Sequence, residues 1–527
     1  MAITANTVWE CRATATAGNV NGGGFDPTIA GAGTDWSLQN AAQYPLVAIA
    51  TGGAGATFLT ALASADMVGN IAHVISGVNF TPGWYQIISV VAGVSVTCDA
   101  NLATGVGANG VINIGGAMSL GSILDNDFFQ LVPVPGNTIW IKKGNYTLGE
   151  NIVAHAVGTL VLPIYIIGYK AVRGDEPIGD DRPHIDTQGF TWALGTNSFN
   201  KLYNLDIYGA VNGTLLNVGS KSVLYNCKAT NNTSVASRNA ISIGGGSYLI
   251  GVEAICSRGN CVNSASGSII GCYFHHSRAG IVISNTNTTL MLNCLIENCW
   301  VNAISLNFGA GSTYGRIIVN TLIGFTGIYT AIGIAISDAS AANSYFDIIA
   351  NNIIWGFAAG LILNVDVEYF PVMFNDFFNN TIDVTNRVER IHCLALDPQF
   401  KNVTEITGAT ATTAGFILTQ LGADFSTVVD NRDYCYIISG AGVTVGMYLI
   451  VGHTIDTLTL DIAPGDSAVA NKVFQVTTNH DYRIGANLKG QGFPGTIPVY
   501  PFPTLGNMDI GALQEAGGLG IINIINE

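Results

Sequence analysis

The sequence predicts an all-β protein: a parallel β-helix with two copies of a small β module. Three observations point there. A strand-sized motif recurs at intervals of 20 to 31 residues between about 200 and 385. Within each copy the side chains alternate with a period of two. The composition is rich in apolar residues and glycine and poor in charge. Of 527 residues, 20 are Lys or Arg and 35 are Asp or Glu, a net charge of −15, while 48% are hydrophobic and 64 are Gly.

These numbers exclude several classes. Length alone allows roughly two to four domains. So high an apolar fraction excludes a disordered chain. An acidic balance with few cations argues against a nucleic-acid surface, which needs Lys and Arg to replace phosphate counterions. No apolar run approaches the ~20 residues of a spanning helix, and the greasiest stretch, 160–167, is broken by Pro163. The first seven residues carry neither a basic nor an apolar segment, so no secretory signal is expected. The ten cysteines include no CxxC pair. Buried free thiols are therefore expected, rather than disulfides or zinc ligands.

The repeated motif opens on Asn or Gly. Its copies begin at Asn204, Asn226, Gly251, Gly271, Asn293, Asn320, Asn351 and Asn375. Second strands lie between them, as in Ala240–Ile243, Gly280–Ile283, Ala303–Leu306, Gly333–Ile336 and Gly360–Leu363. Coils of two or three short strands are the unit of a parallel β-helix. Stacking puts like on like. The second position (Leu205, Cys227, Val252, Cys272, Cys294) and the fourth (Ile207, Ala229, Ala254, Phe274, Ile296) then face inward. The opening Asn residues are expected to form a ladder of side-chain amides at a bend.

A second repeat is of another kind. The segment His73 to Tyr85 aligns without a gap with Tyr436 to Tyr448, and Asp99 with Asp461 after one gap. The expected organisation is a terminal arm and cap at 1–54, a small β module at 55–115, the β-helix at 116–400, a second module at 401–478 and an extended segment at 479–527.

The stretch Pro135 to Thr147 reads Pro-Gly-Asn-Thr-Ile-Trp-Ile-Lys-Lys-Gly-Asn-Tyr-Thr. With the coil pattern over about 116–400, it resembles the right-handed parallel β-helix proteins of the pectate-lyase-like group. Val8-Trp-Glu-Cys-Arg12, Asn21 to Pro27, Thr34-Asp-Trp-Ser37 and Asp509 to Gln514 resemble β-helix proteins of tailed bacteriophages. That resemblance implies a virion protein (head decoration, tail fibre or tailspike) assembled in the host cytoplasm. It also favours a homo-oligomer, a trimer first.

Enzymes of the group carry their carboxylates outside the coils. The outward third and fifth positions here include Asp206, Glu253, His275 and Glu297 as candidate catalytic residues, with Tyr208, Lys228 and Tyr273 as candidate binding residues. His275 and Glu297 share a column one coil apart, about 5 Å. Asp206 and Glu253 are two coils apart, at the upper edge of the roughly 6.5–9.5 Å of an inverting glycosidase. The ordinary reading of such a face is sparse solvated charge. Leu322, Ile353, Trp355 and Phe377 read as an outward apolar stripe, covered by the C-terminal segment or by a second subunit. The charge run Arg173 to His184 reads as a solvated loop in which Arg173 and Arg182 neutralise Asp175, Glu176, Asp180 and Asp181. His275 and His276 alternate across a strand, so they are expected on opposite faces and no metal is expected there. The Gly-rich runs 22–24 and 244–246 lack the helix and Lys of a phosphate loop. No cofactor is expected.

The expected function is structural and adhesive: a bacteriophage virion protein on the particle exterior that touches other virion proteins and host surface glycans. A tailspike-type glycan hydrolase is the alternative, and a bacterial surface β-helix protein the third reading.

Overall fold

The computed structural model describes residues 3–481, apart from 17–19, 119–122, 125, 154–157, 195–198, 210, 234–237, 265–266, 285–288, 308–312, 315, 320, 325–330, 338–343, 346–347, 364–371, 386–389, 400–401 and 466. Residues 482–527 of the expected extended segment, with the Asp509–Gln514 motif, lie outside the described residues. The chain is all-β, with right-handed parallel β-helix coils and small β modules. It divides into two units, 1–211 with 215–228, and 212–214 with 229–527. Among the described residues no helix is long and apolar enough to cross a membrane.

In the first unit, strands Val8–Cys11, Thr138–Lys142, Ile164–Tyr169, Asn200–Tyr203 and Val223–Tyr225 pair in parallel, in that order. A second face stacks Ile123–Leu124, Asn145–Leu148, His184–Asp186 and Asp206–Gly209. The strand Val8–Cys11 corrects the reading of 1–54 as an arm and cap, because it is a rung of the coil sheet. Its tryptophan explains why the chain folds back there. Trp9 is fully buried, lies edge-on to Phe128 and donates from its indole nitrogen to Asn137 Oδ1 at 3.0 Å. The only α-helix among the described residues, Asn126–Leu131, carries Phe128 and its neighbour Phe129, which packs edge-on to Trp192.

In the second unit one column runs Glu253–Cys256, Tyr273–Ser284, Leu295–Asn307, Leu322–Gly324, Ile353–Trp355 and Asp376–Phe378. The inward columns hold as the motif predicts. Val252, Cys272 and Cys294 are fully buried, as are Ala254, Phe274, Ile296, Ile323 and Ile354. The ten cysteines are all free. Burial pushes thiols such as Cys256 and Cys261 upward in pKa and leaves them inert.

The opening position of the motif has a backbone reason. Asn204, Asn226, Gly251, Gly271, Asn293 and Asn351 all have φ between 50° and 61°. That left-handed bend costs Gly nothing and suits Asn better than other side chains. In the first unit the Asn226 amide donates to Asn204 Oδ1 at 2.8 Å. The last copy departs from the predicted register. Phe374, not Asn375, has the positive φ (53°), so the whole copy moves by one residue. Phe377 then pairs with Ile354 and points inward, 1% exposed, which removes it from the outward stripe.

Each module is an antiparallel β structure. The first orders Tyr44–Ile49, Ala103–Ile114, Ile71–Phe80, Gly83–Val91, Ser95–Cys98 and Thr57–Leu59. It thus begins inside the stretch read as the arm. The second is a closed barrel of Asn402–Ala414, Ile417–Thr419, Thr457–Leu460, Gly446–His453, Tyr434–Ser439 and Ser467–Asp481. The aligned segments have the same hairpin register: His73 opposes Trp84, and Tyr436 opposes Met447. The internal contacts repeat as well. Tyr85 donates to the Thr81 carbonyl and Tyr448 to that of Thr444. Asp99 accepts from the Gln86 backbone N–H and Asp461 from that of Leu449, each at 3.0 Å.

Candidate functional site

The predicted face splits into an open part and a sealed part. The open part lies in the first unit. His184 and Asp206 are register partners on adjacent coils, and His184 Nδ1 lies 2.8 Å from Asp206 Oδ2. That hydrogen bond is the first cause of a raised His184 pKa, with burial working against it and Lys228 nearby also lowering it. Tyr208, 37% exposed, lies against the His184 ring at 5.4 Å. In the sequence His184 reads only as the end of the charged loop. Only the coil register puts it beside Asp206.

On another strand column of this unit Tyr165, Tyr203 and Tyr225 form a partly buried outward stack. Ring centroids are 6.4 and 5.6 Å apart, and the Lys201 ammonium lies 5.0 Å from the Tyr165 centroid.

The charged loop is organised differently from the expectation. Arg173 turns away from its neighbouring acids and pairs with Glu10 and Asp35, each at 2.9 Å. Glu10 is fully buried, also paired with Arg12 and bonded by the Tyr169 hydroxyl. Asp181 is met by Lys143 and Lys170. Asp175 caps the backbone N–H groups of Lys170, Ala171 and Val172. Arg182 donates to Asn226. Nothing in the loop is arranged as a cation cage.

The sealed part lies in the second unit. Glu253, His275, Glu297 and Tyr273 are brought together, as the register predicts, but not in a groove. Glu297 is 1% exposed, His275 5% and Tyr273 7%. Tyr273 stacks on His275 at 3.9 Å and donates its hydroxyl to Glu297 Oε1. His275 Nε2 lies 3.1 Å from Glu253 Oε1. His276 corrects the expectation of opposite faces. Its φ of +50° breaks the strand's alternation, so both imidazoles lie on one side, their Nδ1 atoms 2.6 Å apart. Asn298, the next residue in that bend column, also has positive φ (51°), and its amide lies 3.5 Å from His276 Nε2.

The lid is the second module. Tyr434 stacks on His276 at 4.4 Å and Tyr436 on Trp300 at 6.4 Å. Arg258 donates to the Tyr448 hydroxyl at 2.6 Å. Burial, with Asp461 and Glu253 nearby, raises the Tyr434 phenol far above its usual range. No local signal in the sequence marks Tyr434 as a partner of residues some 160 positions earlier.

The outward apolar stripe is also covered within the chain. Ile353 is fully buried, as is Leu295 in the same column, so Ile353 needs no second subunit to shield it. Trp355 is half-buried. The backbone of Leu322 pairs with Leu295 and Ile353, while its side chain lies outside the described residues.

No family model matches the chain, and no curated protein does. Solved structures similar to it include pectate lyase Pel9A, at 12% identity and a TM-score of 0.38, covering 73% of this chain and 89% of that one. The tailspike protein of E. coli bacteriophage HK620 in complex with pentasaccharide is similar at 10% identity and 0.36, covering 66% and 82%. The Dettilon tailspike protein follows at 12% and 0.35, covering 65% and 88%. Likeness at this level carries no substrate or activity from those proteins to this chain.

Proposed function

We propose that the protein is a structural and adhesive component of a tailed-bacteriophage particle, displayed outward and binding host surface glycan without cleaving it at the predicted acidic face. One observation carries this reading over the hydrolase. Glu297 and His275, the acid–base candidates, lie under the second module, bonded to Tyr273, Glu253 and His276. A glycosidase needs both carboxyl groups beside the sugar, with room for water. The phage assignment is supported by the N-terminal motifs around Trp9 and Trp36. What stays open is the first unit's face, where Tyr208, His184 and Asp206 offer a ring edge and polar groups of the kind that hold sugars by stacking and hydrogen bonds.

Incubating the protein with host capsule or lipopolysaccharide tests this. The expected result is binding without new reducing ends, weakened severalfold by Tyr208→Ala and unchanged by Glu253→Gln. Mass spectrometry of purified particles should find the chain. Reducing ends that vanish in Glu253→Gln would overturn the adhesive reading, and absence from particles would overturn the virion assignment.

A further inference from the structure

We propose that His275, His276 and Glu297 form a buried site for a borderline divalent cation of the size and charge of zinc. One ligand atom from each residue lies within 4.8 Å of the other two, and all three residues are buried. Two imidazole nitrogens and a carboxylate oxygen are a zinc-type set, unlike the all-oxygen cages of calcium and magnesium.

Geometry beyond the three ligands points the same way. His275 Nε2 is held 3.1 Å from Glu253, the carboxylate–histidine arrangement that orients a metal-binding ring and leaves Nδ1 to face the ion. Tyr273 fixes the Glu297 carboxylate in turn. The two Nδ1 atoms face each other at 2.6 Å. Two nitrogen lone pairs so close repel, and a cation between them relieves that repulsion. A tetrahedral ion with bonds of about 2.0–2.1 Å sets its nitrogens roughly 3.3 Å apart, so the rings need to part by about 0.7 Å. Such a small opening is within reach of rotation about the two side chains. Tyr434 closes the site from the module side by stacking on His276. Three protein ligands leave the fourth position of a tetrahedral ion to a water or a further group. The proposal is independent of the particle role.

The full-length protein, stripped with chelator and dialysed, is titrated with Zn²⁺ alone. One zinc per chain should survive gel filtration, and the melting temperature should rise with zinc concentration. Co²⁺ in its place should give the visible absorption of a low-coordinate nitrogen and oxygen site. His276→Gln and Glu297→Gln should lose retention. Glu253→Gln should bind roughly 10–100-fold more weakly, as loss of an outer-shell partner does. His184→Ala should bind as the parent does. A parent chain that retains no zinc and gains no thermal stability overturns the proposal, as does full retention in both His276→Gln and Glu297→Gln. Where those variants fail to fold, the parent's cobalt spectrum and the weakened Glu253→Gln decide, and a spectrum of aqueous cobalt overturns it.

Discussion

Asp376 shows how a single residue departs from the motif that contains it. It sits in the last described copy of the column, fully buried, accepting the Leu396 N–H through Oδ1 at 2.8 Å. Its Oδ2 is buried and has no hydrogen-bond partner among the described residues. Burial, with Asp383 and Asp397 nearby, raises its carboxyl to about 6. A folded pKa above the unfolded value means that the native state binds the extra proton. Stability from this group is therefore full below pH ~4 and declines as pH rises through about 6, where the buried carboxylate must ionise. Asp376→Asn should flatten that decline, measured as the urea midpoint between pH 4 and pH 7; an unchanged slope would count against it. Residue types were legible in the sequence, but environments were less so. Asp376 and His276 both read as ordinary strand positions. One backbone angle at His276 turns a pair expected on opposite faces into a facing pair.

At the scale of an element, the coil motif explains most of the chain. Alternation sets the inward columns, and the left-handed bend explains why copies open on Asn or Gly. The one-residue shift at Phe374 lies beyond sequence reach, because Asn375 looks like an opening Asn. Its amide instead joins a buried ladder with Asn352. The Asn352 amide donates to the Ile318 carbonyl and to Asn375 Oδ1, and its own Oδ1 accepts the Thr321 N–H, all at 2.9 Å. Asn375 donates in turn to the Ile349 carbonyl at 2.8 Å. Replacing Asn352 by Leu fills the volume but strands these groups at about 1–3 kcal/mol each. The expected loss of roughly 2–4 kcal/mol is read from denaturant unfolding, with Asn375→Leu adding less than its own single effect because the two share bonds. Full additivity would show that no ladder is present.

For the whole molecule, the duplicated module was visible in the sequence as an alignment, while its use was not. In the first unit, the hairpin that holds His73, with Asn70 just before it, lies along the N-terminal residues. Phe25 bridges to Asn70, and Thr7 donates to Gln86. In the second unit, the matching strand lays Tyr434 and Tyr436 over the coil residues His276 and Trp300. The equivalent strand of the module thus makes a contact in each unit: Ile71 lies against Gly24 in one copy, where the other has Tyr434 against His276. The shortage of charge follows in part. Outward coil positions such as Leu295 and Ile353 are covered by the chain itself, so an apolar outside does not require a partner. The non-catalytic reading proposed for Glu253, His275 and Glu297 rests on the same point. Register places residues on a face, but only tertiary packing decides whether that face meets water.

That sealing is the central claim, and histidine accessibility measures it most directly. Diethylpyrocarbonate labelling of the native protein, read residue by residue by mass spectrometry, compares His184, whose side chain is 41% exposed, with His275 at 6%. The account predicts ready modification of His184 and protection of both His275 and His276 until the protein unfolds. Modification of His275 and His276 at the rate of His184 would mean an open groove and would contradict it.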